Sequence, residues 1–154
     1  MIIYIASDHR GFELKNYLID FLKGKGYEVV DSGNVQYDKS DDYPDFAKVV
    51  AEKVSLDCEN ARGIVLCGSG VGVDVVANKF RGVRSALVTS TDQAFDSRND
   101  DDSNILSLPA GYIEKSAVEK IVIIWLETPF SGDKRHVERL KKIDEIEQKN
   151  FKSL

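Results

Sequence analysis

Cys67 stands directly before a glycine-rich segment, and this arrangement is the strongest chemical signal in the sequence. The segment reads Gly68, Ser69, Gly70, Val71 and Gly72. Its glycines let backbone N–H groups approach an anion, and a helix that begins there adds its positive N-terminal end. The same surroundings favour a thiolate, so Cys67 is a candidate functional residue. The alternative is a core cysteine that ends a buried strand.

The spacing of these glycines argues against a nucleotide-binding loop. A dinucleotide fingerprint reads G-x-G-x-x-G, and Gly72 comes one residue too early for it. The sequence also lacks the G-x-x-x-x-G-K-[ST] pattern of a P-loop. Nucleotide binding is therefore disfavoured, whereas a smaller anionic ligand stays open.

Two other clusters carry charged side chains at a defined spacing. Asp8 and His9 follow the first predicted strand, where they face a ligand or, in the case of Asp8, cap the next helix. Arg135 and Arg139 lie four residues apart in a predicted helix, so both guanidinium groups project from one face and can bind one phosphate. A solvated helix face is the alternative for this charged segment.

Strand and helix patterns alternate along the chain and position these clusters. Short apolar runs predict strands at residues 2–6, 27–30, 63–67, 85–88 and 105–108. Helical patterns lie between the strands, and two more follow the last strand. The alternation predicts an α/β fold, a Rossmann-like three-layer α/β/α sandwich with a five-stranded parallel sheet. In such sheets ligands bind beyond the carboxyl ends of the strands, where Asp8 and Cys67 fall.

No repeat or low-complexity linker divides the sequence, so we expect one domain over residues 1–154. Residues 32–42 are polar and predict a loop. The predicted C-terminal helix, about residues 132–150, is highly charged and has a narrow apolar seam. The seam consists of Val137, Leu140, Ile143 and Ile146.

The bulk properties restrict the possible partners. A formal net charge of −5 argues against broad binding to nucleic acid or to membrane surfaces. The two cysteines, Cys58 and Cys67, lack the spacing of zinc ligands and suit a reducing compartment. The apolar run at residues 1–6 is too short for a signal sequence or a membrane span. We therefore expect a cytoplasmic protein.

Taken in order, the motifs closely resemble the ribose-5-phosphate isomerase B and galactose-6-phosphate isomerase family. They are Ser7-Asp8-His9, Asp42-Tyr43-Pro44, the Cys67 segment with Ala77-Asn78-Lys79, Ser103-Asn104-Ile105-Leu106, and Arg135-His136 with Arg139. The resemblance implies an aldose–ketose isomerase that interconverts ribose 5-phosphate and ribulose 5-phosphate in the pentose phosphate pathway. It also implies that the enzyme uses no metal and no cofactor.

The same resemblance implies roles for individual residues. Cys67 would move a proton between C1 and C2 of the sugar, and Ser69 with the backbone amides of residues 68–72 would stabilise the enediolate. Asp8 would contact sugar hydroxyls, while His9, Arg135 and Arg139 would hold the phosphate. Members of the family are dimers or tetramers with shared active sites, so a homodimer or homotetramer is expected, with the C-terminal helix reaching the neighbouring subunit.

Three positions depart from the family pattern. Asp100 and Asp101 stand where members commonly have His-Asn, and Gly111 stands where they have a phosphate-binding arginine. Asp100 is therefore a candidate acid or base for opening the sugar ring, and Asp101 a candidate substrate ligand. A metal site is not expected, because consecutive aspartates do not readily converge. The alternatives are a 6-phosphohexose isomerase and a non-catalytic sugar-phosphate-binding subunit.

Overall fold

The computed structural model describes residues 1–151, which contain five strands and six helices. The strands are β1 (Ile2–Ser7), β2 (Glu28–Asp31), β3 (Ala61–Cys67), β4 (Ser85–Leu87) and β5 (Ile105–Pro109). The helices are α1 (Phe12–Gly24), α2 (Tyr43–Leu56), α3 (Val71–Ala77), α4 (Thr91–Asn99), α5 (Lys115–Glu127) and α6 (Lys134–Asn150). Every predicted strand and helix is present with bounds that differ by a few residues, and residues 152–154 of the predicted domain lie outside the described residues.

All strand pairs are parallel, and the strand order is β2-β1-β3-β5-β4. The predicted five-stranded parallel sheet and the Rossmann-like fold class are therefore confirmed. After β3 the chain forms β4 at the edge of the sheet and then returns to form β5 in the space between β3 and β4.

Helices cover both faces of the sheet because successive strand residues point to opposite sides. In β3, Ile64 and Leu66 pack in the cluster formed with α1, α4 and α5. Val65 and Cys67 pack on the other side, in the cluster formed with α2 and α3. Near-continuous apolar strands of this kind are typical of parallel sheets that are buried on both faces.

The connections after β1 and β3 diverge at the carboxyl end of the sheet. The chain leaves β1 through α1 toward one face, and it leaves β3 through α3 toward the opposite face. Because β1 and β3 are neighbours, the two loops open a crevice between them, which is the usual ligand position in an open α/β sheet.

Helix α6 lies against loops at the amino end of the sheet. The Glu147 carboxylate accepts a hydrogen bond from the Gly82 backbone N–H at 2.7 Å, shortly before β4. The predicted apolar seam is present but uncovered, since Val137, Ile143 and Ile146 are all exposed. Within residues 1–151, no helix combines the length and apolar character needed to cross a membrane.

Candidate functional site

Cys67 ends β3, and its sulfur is held by the glycine loop that follows. Its side chain is buried, and its Sγ accepts a hydrogen bond from the Gly70 backbone N–H at 3.1 Å. Gly70 has a left-handed backbone with φ of 74°, and a Cβ there would lie 2.5 Å from Leu87 Cδ1. Only glycine meets both conditions, so this residue fixes the loop that faces the sulfur.

The remainder of the loop offers polar groups beside the sulfur. Ser69 is exposed, and its Oγ accepts a long hydrogen bond of 3.4 Å from the Val71 N–H. A Cβ on Gly72 would lie 2.6 Å from the ring of Tyr43, so this tyrosine at the start of α2 forms a wall over the loop. The predicted loop residues thus lie together at one edge of the crevice.

Asp8 follows β1 on the other side of the crevice. Its Oδ1 accepts hydrogen bonds from the backbone N–H groups of Arg10 at 2.9 Å and Gly11 at 3.1 Å. Burial raises the pKa of Asp8, and these two hydrogen bonds oppose the shift. Asp8 therefore stabilises the turn that leads into α1 and does not cap the helix, whose N-cap residue is Gly11.

His9 is fixed by Asp41 from the loop before α2. Nδ1 of His9 donates to Asp41 Oδ1 at 2.7 Å, and the His9 backbone N–H donates to the same oxygen at 2.9 Å. The hydrogen bond to Asp41 raises the pKa of His9. The imidazole is partly exposed, with 28% of its side chain accessible, so Nε2 is left for a ligand. The pair favours a protonated imidazole that can bind an anion.

Arg10 contributes a guanidinium group to the same crevice. A Cβ on Gly68 would lie 2.2 Å from its Cζ, 2.3 Å from Nε and 2.4 Å from Nη1. Because the three atoms of the guanidinium group are almost equally distant from this point, the plane of the group lies flat against Gly68. Gly111, which follows β5, lies alongside, because its backbone N–H donates to the Gly68 carbonyl at 2.9 Å.

Asp100 lies at the opposite end of the sheet from Cys67. The register pairs Gly63 with Ile105 and Cys67 with Pro109, so the segment before Ile105 lies at the amino end of β3. Helix α4 runs back from the carboxyl end, and Asp100 is its C-cap residue. The strand alone spans about 13 Å between these ends, at roughly 3.3 Å per residue. Asp100 and Cys67 of the same chain are therefore too far apart to act in one site.

The arginines of α6 lie at the same amino end as Asp100. Arg135 Nη2 donates to His136 Nε2 at 3.1 Å, and His136 Nδ1 lies 2.8 Å from Ser131 Oγ and 3.6 Å from Asp100 Oδ1. A guanidinium can only donate, so Nε2 carries the lone pair and Nδ1 carries the hydrogen. His136 is buried, and its contact with Nη2 positions Arg135. Arg139 lies one turn further along the exposed helix.

The other two residues of the aspartate run have different surroundings. Asp102 accepts hydrogen bonds from Arg84 Nη2 and Arg98 Nη1, both at 2.8 Å, and its φ is 46°. Asp101 is exposed and lines a groove of about 400 Å³ between α6 and β4. This groove lies apart from Cys67. No group of three or more His, Cys, Asp or Glu side chains within residues 1–151 is arranged to hold a metal ion.

The sequence patterns miss two residues of the crevice. Asp41 is one of several aspartates in a polar loop, and nothing in its spacing points to His9. Arg10 stands between His9 and Gly11, and only its charge at a strand end could have drawn attention to it.

Comparison with known proteins gives a consistent result. The family model described as Ribose/Galactose Isomerase matches residues 3–143. A ribose-5-phosphate isomerase B from Mycobacterium tuberculosis is 35% identical over 148 residues, covering 96% of this chain and 91% of that protein.

Solved structures agree with the sequence comparison. The crystal structure of ribose-5-phosphate isomerase B from Mycoplasma genitalium with bound ribulose 5-phosphate has a TM-score of 0.94 at 43% identity and covers 97% of both chains. The Clostridium thermocellum ribose-5-phosphate isomerase B has a TM-score of 0.91 at 45% identity, covering 97% of this chain and 99% of that chain. Because sequence and fold match over nearly the whole length, the chain belongs to the ribose/galactose isomerase family.

Proposed function

We propose that this chain is an aldose–ketose isomerase that interconverts ribose 5-phosphate and ribulose 5-phosphate. The observation that carries the proposal is the position of Cys67, whose sulfur lies 3.1 Å from the Gly70 N–H in a loop across the crevice from Asp8 and His9. The relatives named ribose-5-phosphate isomerase B, one of them with ribulose 5-phosphate bound, support this choice of substrate.

The proposed chemistry is a proton transfer between adjacent carbons. The Cys67 thiolate removes the proton from C2 of the open-chain aldose, and the electron pair forms the enediolate with its negative charge on O1. Backbone N–H groups of residues 68–72 and the Ser69 hydroxyl stabilise that charge. Cys67 then returns the proton to C1, while the O2 hydroxyl proton moves to O1. Asp8, with its raised pKa, is suited to carrying this hydroxyl proton.

The complete site is proposed to form between two copies of the chain. Cys67 and His9 lie at the carboxyl end of the sheet, whereas Arg135 and Asp100 lie at the amino end. A two-fold dimer that places the amino end of one chain against the carboxyl end of the other produces two equal sites. The uncovered apolar seam of α6 supports such an assembly, and a tetramer can be built from the same dimer.

A substrate panel with two cysteine variants tests the proposal. Purified protein is incubated with ribose 5-phosphate, with hexose 6-phosphates and with unphosphorylated ribose, and ketose formation is measured. Removal of a general base costs about 10²- to 10⁴-fold, so Cys67→Ala should lose most turnover while still binding substrate. Cys58→Ala is the matched control and should retain it, because the Cys58 thiol donates to the Gly82 backbone carbonyl and has no proposed role in the site.

The outcomes separate the alternatives. Turnover of hexose 6-phosphates in preference to ribose 5-phosphate would identify a 6-phosphohexose isomerase. Binding of sugar phosphates without any ketose formation would identify a non-catalytic binding subunit. Near-normal turnover by Cys67→Ala would remove Cys67 from the mechanism.

A further inference from the structure

The guanidinium group of Arg10 is placed where it can bind a ligand. Its plane stacks on Gly68, so a Cβ there would lie 2.2 Å from Cζ. A Cβ on Gly111 would lie 3.5 Å from Nη2, and the absence of side chains at both glycines leaves this space to Arg10. A stacked guanidinium keeps the N–H groups on its edge available for hydrogen bonds.

The charge of Arg10 is not neutralised by its surroundings. Among residues 1–151 its guanidinium has no hydrogen bond and no ion pair with a carboxylate. The nearby Asp8 carboxylate binds the backbone N–H of Arg10 instead. Arg10 is exposed, so a ligand can reach it from solvent.

Arg10 directly follows His9 in the turn after β1. Its positive charge slightly opposes the rise in the pKa of His9 that the Asp41 hydrogen bond causes. A bound anion offsets this effect. Two adjacent cations match the double charge of a phosphate monoester better than the single charge of an enediolate.

We propose that Arg10 is a substrate-binding residue that, with protonated His9, holds the phosphate group of the sugar phosphate at the Cys67 half of the site. This inference rests on the proposed function for the identity of the sugar. The binding of phosphate itself can be measured whether or not the protein isomerises a sugar.

The test measures binding of inorganic phosphate and of ribose 5-phosphate by calorimetry, with the Cys67→Ala substitution present to prevent turnover. Adding Arg10→Ala should weaken binding of both ligands about 10- to 100-fold, because a charge-assisted hydrogen bond is lost. Arg10→Lys keeps the charge but loses the flat fork, and its effect should be intermediate. Lys23→Ala is the matched control: it removes an exposed positive charge at the far end of α1 and should change binding less than twofold.

A second substitution separates position from charge. Gly68→Ala should displace the guanidinium and weaken phosphate binding while Arg10 is present, and it should add little once Arg10 is already alanine. Activity of the otherwise unchanged protein provides a third readout: Arg10→Ala should raise KM for ribose 5-phosphate more than it lowers kcat.

The inference would be overturned by phosphate binding to the Arg10→Ala protein that stays within twofold of the parent. A large loss of kcat in that case would place Arg10 at the reacting carbons instead. Absence of isomerase activity in the parent protein, with phosphate binding that still depends on Arg10, would reject the proposed function and leave the inference standing.

Discussion

One carboxylate oxygen of Asp41 accepts both the ring N–H and the backbone N–H of His9, at 2.7 and 2.9 Å. Asp41 is in turn fixed by Asn34, whose side-chain amide donates to its other oxygen at 3.2 Å. The loop before α2 therefore fixes the orientation of His9, which follows β1, and raises its pKa.

The first prediction concerns the pH dependence of substrate binding. Asp41 raises the pKa of His9, so protonated His9 persists to higher pH and is lost as the pH rises through that raised pKa. Asp41→Asn lowers the pKa, so KM for ribose 5-phosphate should begin to rise at a lower pH than in the parent protein. The measurement is KM between about pH 6 and 9, with an NMR titration of the imidazole.

Asp45→Asn is the control for this substitution, since Asp45 is an exposed aspartate at the start of α2 that pairs with Lys48. Its pH profile should match that of the parent protein. Identical profiles for Asp41→Asn and the parent would show that the charge of His9 plays no part in binding.

The second prediction tests the shared site by mixing inactive variants. Cys67→Ala and Arg135→Ala homodimers should each be impaired, because each lacks one half of both sites. After the two are unfolded and refolded together, one site of every mixed dimer is intact, so about a quarter of the parent activity should return. The control is a mixture of the Cys67→Ala and Ser69→Ala proteins. It should restore no activity, because both residues belong to the same half of the proposed site and no mixed dimer contains an intact site. Lack of recovery in the first mixture would mean that the two ends do not meet in one site.

The third prediction concerns ring opening. A carboxylate carries no proton to donate at neutral pH, whereas a histidine can both donate and accept one. Asp100→His should therefore increase the initial rate with ribose 5-phosphate, which is mostly a closed furanose in solution. The reverse rate should rise as well if the enzyme closes the product ring, because a catalyst does not move the equilibrium.

Asp20→His is the control, since it places the same side chain at an exposed position of α1 that has no proposed role in the site. Its initial rate should stay at the level of the parent protein. If Asp100→His is no faster in either direction, ring opening depends on another group, and Asp8 is the next candidate.

The fourth prediction concerns stability at the amino end of the sheet. Asp102 pairs with Arg84 and with the buried Arg98. Asp102→Ala removes the charged hydrogen bonds from Arg84 and Arg98, so the free energy of unfolding should fall by about 2 kcal/mol. Asp101→Ala should change it by less than about 0.5 kcal/mol. Urea denaturation of both variants is the measurement, and equal midpoints would show that the ion pairs contribute no stability.

The secondary structure was predictable because the apolar patterns are long and regular. The strand order was not, since periodicity carries no information about which strand lies beside which. The position of β5 between β3 and β4 appears only in the folded chain.

The candidate site was predictable in part. The glycine loop after Cys67 could be identified from residue types alone, because a strand end followed by glycines has a physical reason to bind anions. The distance between Cys67 and Asp100 was not predictable, since a family pattern names residues without saying which end of the sheet they occupy. The Ser103-Asn104 motif proves to be structural, because Asn104 accepts the Arg84 backbone N–H and donates to the Gly82 carbonyl.

Trp125 is the single tryptophan of the sequence, and it is fully buried in α5. Its indole N–H donates to Ser103 Oγ at 2.8 Å, in the loop that also carries Asp100. Its fluorescence should therefore respond to any movement of that loop. The chain thus contains an intrinsic optical probe of the amino end of the sheet, and a rearrangement of this loop can be followed without a label.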